Sequence, residues 1–361
     1  MRRRTGRRPR RGRVALLIVD LFAGAGGWEQ GYTGHDCIVG LDVDDAVRAT
    51  RRAAGLVTIP ADVSAYPAER FANADGLIAS PPCQAYSAAG TRDAVPYASA
   101  LVDAVRRGAW DARPSADPRA WLVLEVGRWI DAVRPRWIAL EQVPAVAPIW
   151  DAYAARLQAH GWRAWAGIVN AADYGVPQIR RRALLVAHRD RSVARPMPTH
   201  AEGGTQADLF GGDGLPSWVT MADALGWGMT ERPYAVIASG VSGGPDREKV
   251  GGSHARALIY RERDEGRWMV NTGRDWKPGG DRDDAQTVDP FTAPAPTVDT
   301  KGRWHLTSDD DVVRLTIRDA LVLQSFPPDY PVKGSGTAQY RQVGDAVPPR
   351  LAAAVLAHLT E

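Results

Sequence analysis

"VALLIVDLFAGAGGWEQG", residues 14–31, opens on an unbroken apolar run and turns abruptly into glycine. A run without polar alternation is what a strand covered on both faces requires, because neither side meets water. Glycines at 24, 26 and 27 then mark a tight turn that leaves backbone N–H groups free, and a helix follows. Strand, glycine turn and helix together form the opening unit of an α/β sheet, and the turn lets backbone approach a cofactor closely. A dinucleotide fingerprint needs glycine at the sixth position of GxGxxG, and Glu29 stands there. That weighs against a nicotinamide or flavin oxidoreductase. A turn that binds nothing would use the same glycines.

Working outward, "CIVGLDV" (37–43), "GLIAS" (76–80), "WIALEQV" (137–143), "WAGIVNA" (165–171) and "RALLVAH" (182–188) repeat the apolar strand type. Helical patterns lie between some of them, as in "DPRAWLVLEVGRWIDAV" (117–133) and "WDAYAARLQAHG" (150–161). The alternation predicts an α/β fold, a mostly parallel sheet with helices on both faces, over residues 14–189. Residues 190–311 differ: they hold 17 of the chain's 36 glycines and few helical patterns, and read as a smaller, loop-rich second domain. Helical signals return over 312–361. Thr316 is placed to cap "TIRDALVLQSF", with Asp319 at the third helical position, and "VPPRLAAAVLAHL" (347–359) sets proline in a first turn.

The 361 residues are enough for a sizeable core, with an ordinary 45% apolar and 24% charged content. No apolar run approaches the ~20 residues of a membrane span, and no signal-peptide stretch follows Met1. Two cysteines make no disulfide framework, and no CxxC spacing suggests zinc, so the expectation is a metal-free cytoplasmic protein. Residues 1–13 carry eight arginines and no acid; without them the chain has 37 basic and 42 acidic residues. Such a tail reads as a disordered, solvated arm that can also make sequence-independent phosphate contacts.

Several residues could carry chemistry. Asp20, Asp42 and Asp62 sit near the ends of three successive strands. Each alone reads as a cap or a surface charge; together they suggest a nucleoside-containing cofactor, since a strand-end acid can accept ribose hydroxyls. Cys83 follows Pro81-Pro82, which cannot continue a central strand, so its thiol is set at the sheet's carboxyl edge. A lone cysteine is often just a small buried hydrophobe, and a thiol of pKa ~8.5 needs help to act as a nucleophile. None of the seven histidines lies in a suggestive motif. Glu141 ends another apolar strand. In "YGVPQIRRRALLV", strand alternation puts Gln178, Arg180 and Arg182 on one face. Arginines entering an apolar strand need acids or an anionic ligand, and Glu141 is a candidate partner.

Taken in order, "DLFAGAGG", "PPCQAYS", "EQV", "QIRRR", "RLTIRDALVLQSFP" and "QVGDAVPP" resemble the motifs of the DNA cytosine-5 methyltransferases, which use S-adenosylmethionine. The match covers residues 14–188 and 314–361. The resemblance implies a Rossmann-like methyltransferase sheet, with a target-recognition domain at 190–311, where "TAPAPTVDTKG" (292–302) resembles a segment often found in that domain. It implies that Cys83 attacks carbon 6 of a cytosine extruded from duplex DNA. Glu141 would hold the N3 edge, Arg182 the ring carbonyl, and Arg180 would support the cysteine. It implies a cofactor site formed by Asp20, Phe22, Gly24, Gly26, Gly27, Asp42, Asp62, Val63, Pro82, Asp345 and Val347. Departures from the usual pattern are Gln142 and Asp345, each where asparagine is usual, and Val43, where an aromatic often follows the ribose-binding acid. Residues 85–116 are longer than expected after the cysteine and read as a mobile loop over the DNA.

Partners expected from the resemblance are duplex DNA and a cognate restriction endonuclease, with the enzyme a monomer. A tRNA cytosine-5 methyltransferase and a non-catalytic DNA-binding relative are the alternatives. The first lacks a match in 190–311; the second would be expected to have lost Cys83 or Glu141. Residues 190–311 hold 14 basic and 20 acidic residues, so a DNA-facing surface there needs clustered charge, as along Arg247, Lys249, Arg256, Arg261 and Arg263.

Overall fold

The computed structural model describes residues 16–87, 92–205, 214–226, 269–271, 287–288, 292–298, 305–307 and 312–360. The arginine-rich residues 1–13, and the cluster proposed along Arg247–Arg263, lie outside the described residues. Seven strands form the main sheet: β1 (Leu17–Leu21), β2 (Cys37–Asp42), β3 (Thr58–Pro60), β4 (Gly76–Ala79), β5 (Trp137–Gln142), β6 (Arg163–Asn170) and β7 (Arg181–His188). Their order is β3-β2-β1-β4-β5-β7-β6, parallel except for β7, which runs antiparallel to both neighbours. The chain winds one way from β1 to β2 and β3, and the other way from β4 to β5. The carboxyl ends of β1 and β4 therefore flank the switch point, where open α/β sheets leave a crevice. This is the Rossmann-like methyltransferase arrangement.

Apolar runs make these strands because both faces are covered. Val19, Leu21, Leu77, Ile138 and Leu140 face one buried cluster with Leu124 and Trp129 from α4 (Pro118–Val133) and Trp150 and Tyr153 from α5 (Ala147–Ala159). Ile18, Ile78, Ala139 and Leu184 face the other, with Leu351, Val355 and Leu359 of the C-terminal helix α9 (Pro349–Thr360). That helix returns to pack on α1 (Gly27–Gly31), so the two ends of the described chain close one layer. The contact is tight at Gly27, where a Cβ would collide with the carbonyl of Val347.

The segment after the cysteine differs from the mobile loop expected of it. Residues 98–107 form α3, which buries Leu101, Ala104 and Val105 and packs on α5. Ala85, Tyr86 and Ala94 are in the same core. The small residues that read as a loop are the ones that let this helix and its approach lie close against α5.

Past residue 189 the chain stays in contact with the sheet half. Tyr174 Oη donates to Pro196 O at 2.8 Å, and the backbone N–H groups of Thr199 and His200 both reach Asp173 O. Beyond it come α6 (Met221–Leu225) and four short strands, β8 (Met269–Asn271), β9 (Thr287–Val288), β10 (His305–Thr307) and β11 (Val312–Arg314), ordered β11-β10-β8-β9 and antiparallel. α7 (Ile317–Leu323) begins at Thr316, whose side chain and that of Asp319 cap each other's backbone N–H reciprocally. A third apolar cluster joins Met221, Val298, Leu321, Phe326 and Val343, the last on α8 (Gly336–Asp345). Residues 292–298 are stitched to the sheet half: Ile179 N donates to Ala295 O at 2.7 Å, and Ala295 N donates to Pro177 O at 3.1 Å. Among the described residues no helix is long and apolar enough to cross a membrane.

Candidate active site

At the switch point lies a cavity of about 680 Å³, within the range of small-ligand sites. Its floor is the turn after β1. Phe22, Gly24 and Gly26 all have positive φ, at 58°, 52° and 93°, which bends the chain sharply into α1. Gly24 N donates to Asp42 Oδ2 at 3.0 Å, and Asp44 N to Asp42 Oδ1 at 2.9 Å, so the acid at the end of β2 is fixed against the glycine turn. Burial holds the Asp42 carboxyl above its usual range, only partly offset by those N–H groups. Phe22, Gly24, Gly27, Asp42, Asp62, Val63, Pro82, Asp345 and Val347, nine of the eleven residues the resemblance suggested for a cofactor, all line this one cavity. Asp62 also caps its own turn, accepting from Ser64 N and Ser64 Oγ, each at 2.8 Å.

Asp20 and Gly26 do not line it. Asp20 is interior to β1, and alternation turns its side chain into the sheet face rather than toward the crevice. It is fully buried, neither oxygen has a hydrogen-bond partner among the described residues, and burial followed by Glu29 holds its carboxyl well above the usual range. Gly40, opposite Asp20 in the ladder, leaves room for the guanidinium of Arg51, on α2 (Asp45–Ala53), that pairs with Glu29. Gly26 is packed against the side chains of Leu56 and Tyr330 and shapes the turn from behind.

The reactive end of the cavity is built from four elements. β4 ends at Ala79, and the Pro81-Pro82 step delivers Cys83 to the edge. Trp28 Nε1 donates to Ser80 Oγ at 3.0 Å and Gln142 Nε2 to Pro81 O at 2.6 Å, which fix the approach. Glu141, one residue earlier on β5, is buried and pairs with Arg182, whose Nε lies 2.8 Å from Oε1. Arg180 is 1% exposed; its Nη2 donates to Gly344 O at 2.7 Å and to Ala346 O at 3.0 Å, while Nε and Nη1 have no partner among the described residues. Desolvation, then Arg182, pushes the Arg180 pKa down to about 9. Gln178, expected on the same face, instead lies outside the cavity. Its Nε2 donates to Leu323 O at 3.1 Å and to Gln324 Oε1 at 2.6 Å, and its Oε1 accepts from Val298 N at 2.9 Å.

Burial, then the negative charges of Asp345 and Glu141, pushes the Cys83 thiol up to about 12, with Arg182 and Arg180 acting against the rise. The sulfur lies 3.7 Å from Asp345 Oδ1. One stretch of lining carries no sequence signal: Pro118, Arg119, Trp121 and Leu122 from the first turns of α4 also border the cavity. The Asp117-Pro118 pair, a cap followed by a first-turn proline, marks where that helix begins but not what it faces.

One family model, C-5 cytosine-specific DNA methylase, matches the sequence over residues 16–361. The chain belongs to that family. It is a DNA cytosine-5 methyltransferase. It is 25% identical over 374 residues to the Type II methyltransferase M1.HphI of Haemophilus parahaemolyticus, covering 95% of this chain and 86% of that protein. It is 24% identical to M.DdeI of Desulfomicrobium norvegicum, over 94% and 87% of the two chains. Among solved structures, a DNA modification methyltransferase encoded within an E. coli prophage aligns with a TM-score of 0.60 at 20% identity, covering 96% of this chain and 98% of that one. S. pombe Dnmt2 aligns with a TM-score of 0.57 at 15% identity, over 95% and 98%. Both show the same fold.

Within this methyltransferase the departures from the usual motif pattern have physical counterparts. Gln142 spans its extra methylene to reach the Pro81 carbonyl, so the longer amide still holds the turn before the cysteine. Val43 is 61% exposed at the rim of the cavity and offers an apolar edge rather than a ring. Asp345 brings a carboxyl group where an amide is usual.

Proposed function

We infer that this enzyme methylates carbon 5 of a cytosine within a specific duplex DNA sequence, through a covalent adduct between Cys83 and carbon 6 of an extruded base. The observation that carries the reading is that the thiol, the Glu141–Arg182 pair and the glycine turn open onto one cavity. S-adenosylmethionine, when bound, supplies an already activated methyl group. The residues fit it: an apolar lining at Phe22, Val63 and Val347, a strand-end carboxylate at Asp42 suited to ribose hydroxyls, and Asp62 at the rim for the adenine edge. Gly24 and Gly27 keep the floor low, and Pro82 and Asp345 border the side toward the sulfur.

Cys83 supplies the nucleophile. Glu141 meets the N3 edge of the ring and favours its protonated form, so that charge does not build up on the pyrimidine. Arg182, already oriented by Glu141, meets the ring carbonyl. Arg180 adds positive charge beside the sulfur, and its unpartnered buried donors are free for the base or its sugar-phosphate. Extrusion costs a few kcal/mol, which these contacts offset. Residues 190–311 are assigned target recognition, the enzyme is taken to act as a monomer, and the Type II names of its relatives support a restriction endonuclease as its partner.

Bisulfite sequencing of duplex DNA treated with the purified enzyme and S-adenosylmethionine should reveal methylcytosine in one sequence context. Cys83→Ser should abolish it while cofactor binding by calorimetry stays within about threefold. A 5-fluorocytosine duplex should trap a covalent complex with the wild type alone. Equal methyl transfer to tRNA and to duplex DNA, or an active serine variant, would overturn the reading.

A further inference from the structure

Asp345 ends α8 with its carboxylate beside the nucleophile. Cys83 Sγ is placed to donate to Oδ1 at 3.7 Å, while Gln84 Nε2 donates to Oδ2 at 3.4 Å and keeps the carboxylate turned to the sulfur. The other acid near the thiol, Glu141, is engaged by Arg182. An amide at position 345, the usual residue in this motif, could not accept a proton; this chain's carboxylate can.

We propose that Asp345 is the base that takes the proton of Cys83 as the sulfur attacks, so that thiol and carboxylate work as one proton-sharing pair. The identity of the attacked carbon rests on the methyl-transfer reading above; the sharing of the proton belongs to the enzyme without substrate. The Sγ–H bond breaks and its proton goes to Asp345 Oδ1. The electron pair left on sulfur forms the bond to carbon 6, and the displaced π pair moves through carbon 4 to N3, whose protonated form Glu141 favours. Once the N3 pair has returned through carbon 4 and carbon 5 carries the methyl group, the carbon 5 proton goes to water, the carbon 5–carbon 6 double bond reforms, and the sulfur leaves with its pair. The thiolate then recovers its proton from Asp345.

The charges around the pair suit this. Glu141 faces the sulfur from β5, Arg180 and Arg182 from the β7 side, and Arg341 faces Asp345 from the preceding turn of α8. With its thiol pushed up to about 12 by burial, Cys83 ionises little unaided near neutrality, so a nucleophile here needs a base within reach. Burial raises the Asp345 carboxyl above its ordinary range, toward where a base is effective near neutrality, against the pull of Arg180, the thiol and Arg341.

Alkylation by iodoacetamide tests it on the full chain without cofactor or DNA, with Cys83 resolved from the exposed Cys37 by peptide mass. Alkylation needs thiolate. A shared proton makes the thiolate fraction independent of pH once the carboxylate has ionised. The wild-type rate should therefore rise tenfold per pH unit at low pH, reach a plateau through neutrality, and rise again only at strongly alkaline pH. Asp345→Asn should show one limb, tenfold per unit without a plateau, and its kcat should fall about 10²-fold or more with an acid limb displaced to higher pH. A wild-type profile with no plateau overturns the proposal, and so does a plateau that survives in Asp345→Asn. The wild-type profile decides alone if the variant does not fold. Absence of methyl transfer by an enzyme that shows the plateau would instead overturn the functional reading.

Discussion

At the residue scale, Asp20 and Asp42 show how two acids near neighbouring strand ends come to do different work. Asp42 is the last residue of β2 and reaches the glycine turn; Asp20 is one residue short of the end of β1 and points into a sheet face. No pattern in "VDLFAG" distinguishes an edge acid from a face acid, because that depends on where the strand stops to within one residue. The buried carboxyl has a consequence for stability. A carboxyl whose folded pKa lies above its unfolded value binds its proton more tightly when folded. Its contribution is present in full below the unfolded pKa and is lost as pH rises through the folded one. Asp20→Asn removes that loss. Between pH 5 and pH 8 the variant's Tm should fall less than the wild type's, while methyl transfer is retained because the side chain does not reach the cavity. Parallel Tm-versus-pH curves for the two proteins would show that Asp20 does not titrate in this way.

Between elements, the decisive contact is α1 against the turn that leads into α9. Gly27 is the first residue of α1, and a methyl group there meets the Val347 carbonyl, which is backbone and has no rotamer by which to yield. Val347 also lines the cavity, so the strain is passed to its floor, where the cofactor is proposed to bind. Gly27→Ala is expected to lower Tm and to weaken S-adenosylmethionine binding about tenfold or more, measured by calorimetry. Unchanged affinity would show that the two helices separate without disturbing the turn. This pairing explains what was legible and what was not. The strands β1, β2, β4, β5 and β7 announce themselves as continuous apolar runs, and Thr316 with Asp319 announces a helix start. The helix α3 does not, because "ASALVDAVRR" is alanine-rich and short of large apolar residues, and its burial is set by the shape of α5. The wall from α4 was missed for a related reason. Trp121, three residues before Leu124 on α4, packs against the same core and also lines the cavity, and the sequence alone does not say that a cavity lies on that side.

Over the whole molecule, one thiol is served by residues from β4, β5, the β7 approach and α8, separated by up to 262 positions, and the sheet order is what gathers them. The ordered motifs made that gathering readable; local patterns could not. The same view exposes an electrostatic demand. Apart from residues 1–13 the chain has 37 basic against 42 acidic residues, so the bulk of the molecule repels the polyanion it acts on. Positive charge must then be concentrated, and the eight arginines of residues 1–13 are the densest run available. Each arginine that neutralises a phosphate releases counterions and steepens the fall of log affinity with log salt by about 0.9. A chain starting at Val14 should therefore bind its duplex with a shallower slope, by about 0.9 for each such contact and by no more than about 7 in all. Its kcat at saturating DNA should be unchanged, because the described residues that line the cavity all lie past Val14. Titrations between 50 and 200 mM salt, by fluorescence anisotropy on a labelled duplex, measure the difference. An identical slope for the two chains would mean that the arm stays in solvent, and that the charge meeting the phosphates comes from the body of the enzyme.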